Sequence, residues 1–81
     1  MEDLKFLDIQ VGDIVAVFDQ YSHDYNVHHI KVQCIEFDRE FITEANPEGK
    51  HCYGDDLDKD KYGEEYITHI TEANFISIDR R

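Results

Sequence analysis

The chain of 81 residues sets 8 Lys and Arg against 19 Asp and Glu, a formal net charge of −11 with its histidines neutral. That length limits it to one small domain spanning 1–81, and its Ile, Val, Leu and Phe, about 27% of the residues, exceed the roughly 20% floor below which a highly charged chain stays disordered. Nucleic-acid binding draws much of its free energy from neutralising phosphates with Lys and Arg, so a chain with more than twice as many acids as bases is read as having no direct nucleic-acid partner. An anionic membrane surface would repel it as well.

Nine Ile, five Val, five Phe and five Tyr stand against three Leu and three Ala, a balance of branched and aromatic side chains that suits a pleated sheet. The expected fold is mainly β. The start, Met1-Glu2-Asp3-Leu4-Lys5, has neither the basic nor the apolar region of a secretory signal, and no apolar run reaches the roughly eighteen residues of a membrane helix. The expected location is cytoplasmic, where Cys34 and Cys52 are read as thiols rather than a bridge.

In chain order, residues 1–8 are expected to form a flexible N-terminal segment. Val11-Gly12-Asp13 turns the chain into Ile14–Phe18, a short continuous apolar run that reads as a strand covered on both faces. Polar residues from Asp19 to Asn26 make an exposed connection. Ile30, Val32 and Cys34 then alternate with His29, Lys31 and Gln33, the period of a half-buried strand. Ile35 and Phe37 fall out of phase, which predicts a bulge near Cys34 and Ile35. Asp38-Arg39 is expected to turn into a strand from Phe41 to Ala45, ended by Asn46-Pro47-Glu48-Gly49.

Residues 54–65 hold six acids, two bases and one aliphatic side chain, too little apolar surface to bury, and are expected to form an exposed acidic loop. Strands are expected at Tyr66–Ile70 and Phe75–Ile78, with a single helical or 3₁₀ turn capped by Thr71 between them. The words Ile42-Thr43-Glu44-Ala45-Asn46 and Ile70-Thr71-Glu72-Ala73-Asn74 are identical. One repeated pentapeptide without matching flanks does not define a repeat architecture, which needs several units to bury a core.

Short strands and tight turns in so small a chain point to a closed sheet, because closure removes exposed edges. Val11-Gly12-Asp13-Ile14-Val15-Ala16-Val17-Phe18-Asp19 with the polar loop after it, and Gly63 onward through Glu72-Ala73-Asn74-Phe75-Ile76-Ser77-Ile78, resemble the Gly-Asp strand and the closing segment of Src-homology-3-like barrels. The resemblance implies a small five- or six-stranded barrel with a short 3₁₀ or helical turn before the last strand. It does not imply peptide binding of the proline-rich kind, which needs a slotted aromatic groove: the chain has no Trp, and its tyrosines Tyr21, Tyr25, Tyr53, Tyr62 and Tyr66 read as a rim around the core.

Asp56-x-Asp58-x-Asp60 matches the first three ligands of a calcium loop, but Lys61 stands where the sharp turn needs Gly and Ile67 where a bidentate Glu belongs. For zinc, Cys34, Cys52, His23, His28, His29, His51 and His69 show no closely spaced quartet. Isolated glycines make no phosphate loop; Cys34 or Cys52 beside a His could form a nucleophile pair, but so small a barrel has little volume for a pocket that excludes water, so the chain is read as a non-enzyme with no cofactor. The leading expectation is an acidic protein-interaction module, such as an accessory or inhibitor protein of a phage or mobile element. It would dock on a basic protein surface through Asp55, Asp56, Asp58, Asp60, Glu64 and Glu65. One alternative is a divalent-cation site formed by Asp56, Asp58 and Asp60; another is a charge that serves solubility alone.

Overall fold

The structure, a computed structural model, describes residues 4–19, 26–61 and 67–79. Five strands, β1 (Ile14–Phe18), β2 (Val27–Phe37), β3 (Lys50–Asp56), β4 (His69–Ile70) and β5 (Phe75–Asp79), form one antiparallel sheet in the order β4-β3-β2-β1-β5. Single 3₁₀ turns occupy Phe6–Asp8 and Arg39–Phe41. None of the described helices is long and apolar enough to cross a membrane.

The connectivity forces the sheet to curl. β4 and β5 lie at opposite edges, which in a flat five-stranded sheet would be about 19 Å apart. The chain from Ile70 to Phe75 reaches only about 17 Å even when fully extended, and residues 72–74 are turn. Two bulges supply the bend. One is in β2 between Val32 and Cys34, where Gln33 has no partner in the β2–β3 register; the other lies between β1 and β5 at Ala16 and Val17. The phase slip read from the sequence is thus present, one residue earlier than expected, and it turns Ile35 toward the core.

Inside the curl are Phe6, Ile9, Val15, Val17, Ile30, Val32, Cys52 and Ile70, with Ile35, Ile67, Phe75 and Ile78 packed against them. Phe6 meets Phe75 edge to face at 5.8 Å between ring centroids. The flexible segment expected over residues 1–8 therefore does not describe residue 6, which sits in the core because its ring has a hydrophobic partner on β5. Lys50 fastens the same stretch: its Nζ donates to the carbonyls of Leu7 and Ile9, each at 2.8 Å.

Residues 41–45 depart from the expected strand. The Asp38 carboxylate accepts the Glu40 amide at 3.0 Å and starts a 3₁₀ turn. Thr43 and Asn46 then exchange amide-to-carbonyl hydrogen bonds at 3.1 Å each, so the backbone groups a strand would offer to a neighbour are used locally. The Pro47–Glu48 turn follows as expected, closed by Gly49 at φ +70°. Lys50–Asp56 instead forms the third strand, and Gly54, Asp55 and Asp56 belong to it rather than to an acidic loop. Gly54 is required there because a Cβ would strike the Lys31 carbonyl and the Ile30 side chain.

Candidate functional site

β3 carries the acidic motif up to the edge of the core, and the β2–β3 register sets Lys31 opposite Asp55 and Ile30 opposite Asp56. Alternation along the two strands sends His28 and Asp56 inward, where both side chains are 1% exposed and His28 Nδ1 lies 2.7 Å from Asp56 Oδ2. The Asp56 carboxylate also accepts the amides of Ile67 at 2.9 Å and Asp58 at 2.8 Å. Asp58 is engaged by the next histidine: its Oδ2 accepts both the His29 amide and His29 Nδ1 at 2.8 Å. The hydrogen bond from the His29 ring is the main reason the Asp58 carboxyl is held below the usual carboxylate range, with burial opposing it.

The expected docking residues therefore separate. Asp55 is exposed beside Lys59, 3.8 Å away, a surface pair that contributes little. Asp60 is exposed on the turn after β3. Asp56 is a core residue, and Asp58 is tied to β2. Glu64 and Glu65 lie outside the described residues, as do Tyr21, Tyr25, Tyr62, Tyr66 and His23. Among the described residues no group of three or more His, Cys, Asp and Glu is arranged to hold a metal ion. Sequence reading missed the His28–Asp56 and His29–Asp58 pairs; adjacent histidines opening one strand and spaced aspartates closing its antiparallel partner are the signal that would have found them.

A second constellation gathers His51 and Tyr53 of β3, His69 of β4 and Phe41 of the 3₁₀ turn before β3. His51 Nδ1 and His69 Nε2 are 2.9 Å apart, so one ring donates and the other accepts. Phe41 stacks on His51 with centroids 4.3 Å apart, and Tyr53 stacks on His69 at 4.6 Å, nearly parallel. Burial, then the neighbouring His51, pushes the His69 imidazole pKa down, and Glu36 partly offsets this. Cys52, on the core side of β3, has its thiol pushed up to about 11, chiefly by burial. Cys34 is exposed; it pairs with Tyr53 while Ile35 pairs with Cys52, so the two thiols belong to opposite faces of the sheet.

The repeated pentapeptides share one feature: each ends in an asparagine whose side chain reaches back to a carbonyl. Asn46 Nδ2 donates to the carbonyl of Phe41 and Asn74 Nδ2 to that of His69, each at 3.0 Å and five residues back. Both asparagines are buried, at 1% and 8% exposure. The copies also touch: Thr43 Oγ1 donates to Glu72 Oε2 at 2.8 Å. Between them lies an open groove of about 490 Å³ walled by Glu40, Phe41, Thr43, Thr71, Glu72 and Ala73. A second groove, of about 460 Å³, has Leu7, Ile35, Phe37 and Pro47 among its walls.

Compared with protein-family models, with curated proteins and with solved structures, the chain finds no match.

Proposed function

We propose that this protein is a non-catalytic interaction module that docks through its acidic surface on a basic face of a partner protein in the cytoplasm. The curled sheet is read as a Src-homology-3-like barrel, with the turn of residues 72–74 before its last strand. The observation that carries the functional reading is the net charge of −11 borne on a surface where bases are sparse. Lys50 is turned onto the carbonyls of Leu7 and Ile9, and Lys59 sits beside Asp55. A field of one sign over a small domain steers it toward a complementary surface and raises the association rate. Such a domain can act as an accessory or inhibitor by occupying a surface shaped for phosphates.

Cation binding by Asp56, Asp58 and Asp60 draws no comparable support, since the first two carboxylates already serve His28 and His29. The deciding experiment is capture of partners from source lysate at low and high salt with the wild type and with a variant combining Asp55→Asn, Asp60→Asn, Glu64→Gln and Glu65→Gln. Asp56 and Asp58 are left intact so that the fold is not the variable. A basic protein held at low salt, released by high salt and held less well by the variant is the expected result. Capture that ignores both salt and variant rejects acidic docking and leaves the charge a solubility device.

A further inference from the structure

The groove between the two Thr-Glu-Ala-Asn turns is a recess in this acidic surface that combines two carboxylates, an aromatic wall and turns closed by hydrogen bonds. We propose that it is the seat of an arginine side chain from the partner, an inference that rests on the docking reading and names the group recognised. Glu40 and Glu72 stand in its walls, and no base does among the described residues. Phe41 is held in place on the wall by its stacking on His51 and its edge-on contact with His69 at 5.4 Å. A guanidinium is planar, weakly hydrated for a cation, stacks on aromatic rings and forks onto carboxylates; an ammonium does only part of this.

The walls are built before any ligand arrives. Asn46 closes the first turn through Phe41 and Lys50, and Asn74 closes the second through His69 and Thr71. The Thr43–Glu72 hydrogen bond pins one turn to the other and occupies Oε2 of Glu72, which makes Oε1 the oxygen offered to an incoming donor. A preformed site loses less free energy to ordering when it binds. At about 490 Å³ the groove falls within the range of small-molecule pockets and has room for the arginine stem and its flanking backbone.

The test is a titration of the full, ¹⁵N-labelled chain with two probes, N-acetyl-arginine methylamide and N-acetyl-lysine methylamide, followed by amide chemical shifts. The arginine probe is expected to move amides of residues 40–46 and 71–74 with saturation. Affinity should fall about fivefold for the lysine probe and by a similar factor in the Glu40→Gln, Glu72→Gln double variant. Gln at position 72 still accepts from Thr43, and an unchanged melting temperature checks that the turns persist. Shifts spread over all acidic residues, equal response to lysine, or indifference to the double variant each overturn the arginine seat. The two proposals fail separately. If wild type captures a basic protein and the double variant captures it equally, the groove assignment falls and docking stands; if no basic protein is captured while arginine saturates the groove, docking falls and the site stands.

Discussion

His28 and Asp56 meet 2.7 Å apart with both side chains 1% exposed, a polar pair inside the apolar curl of the sheet. Buried polar groups are tolerated when each is hydrogen-bonded, and removing one partner strands the other. Asp56 accepts two backbone amides besides the imidazole, so it also fixes the chain at residue 67, two residues before β4. Asp56→Asn is therefore expected to destabilise the protein by about 3 kcal/mol. Asp58→Asn, at a half-exposed pair, should cost under about 1 kcal/mol, and Asp60→Asn almost nothing. Urea unfolding of the three variants checks the ranking; equal losses would mean the buried pair contributes nothing particular.

Asn46 and Asn74 end the repeated word with unequal numbers of side-chain hydrogen bonds. Asn46 donates to two carbonyls and accepts the Lys50 amide at 3.1 Å; Asn74 makes one bond of each kind. Alanine at either position orphans backbone groups away from water, at about 1–3 kcal/mol per group fully desolvated. Asn46→Ala should thus lower the urea midpoint more than Asn74→Ala. The reverse order would show that Asn46 is solvated more readily than its 1% exposure implies.

β1, β5 and the phase slip in β2 were legible because Val15, Val17, Ile30, Val32 and Ile78 are apolar residues in strand-like patterns, and the turn at Pro47 because Gly49 tolerates positive φ. β3 was not legible. Its buried positions are Lys50, His51, Cys52, Gly54 and Asp56, where hydrogen bonds and a close backbone approach replace hydrophobic alternation. Residues 41–45 misled in the opposite sense: Ile42 belongs to an apolar-looking run yet is 51% exposed. The repeated word was visible, but its meaning lies in an asparagine amide reaching five residues back, a consequence of turn geometry that no count of repeats conveys. The histidine–aspartate pairs depended on the β2–β3 register, which shifts by one residue at the Gln33 bulge.

The two thiols should differ sharply in reactivity. Thiolate is the nucleophile. Cys52 is fully buried with a pKa near 11, while Cys34 is exposed. Titration with a chromogenic disulfide at about pH 8 is expected to label one thiol promptly and the second only at the rate of unfolding. Cys34→Ser should abolish the fast phase. Two fast phases in the wild type would mean that β3 opens readily at its centre.

The histidine pair gives stability a direction with pH. His69 has its pKa lowered from 6.5 in the folded state, first by burial and then by His51, with Glu36 pulling the other way. The unfolded chain therefore binds more protons than the folded one as pH drops through about 6.5, and stability falls across that window until the folded pKa is passed. Protonating both rings would also place two cations across a 2.9 Å contact, at the end of a sheet where the two-residue strand β4 pairs with β3 at Cys52–Ile70 and Tyr53–His69. Asp58, lowered from 3.8 mainly by the His29 hydrogen bond, adds a separate loss that begins only below about pH 4. His69→Phe keeps a ring between Tyr53 and Phe41 but cannot take the proton. Urea midpoints measured from about pH 7.5 to about pH 5 should fall less steeply in that variant than in the wild type; parallel slopes would assign the sensitivity to another histidine.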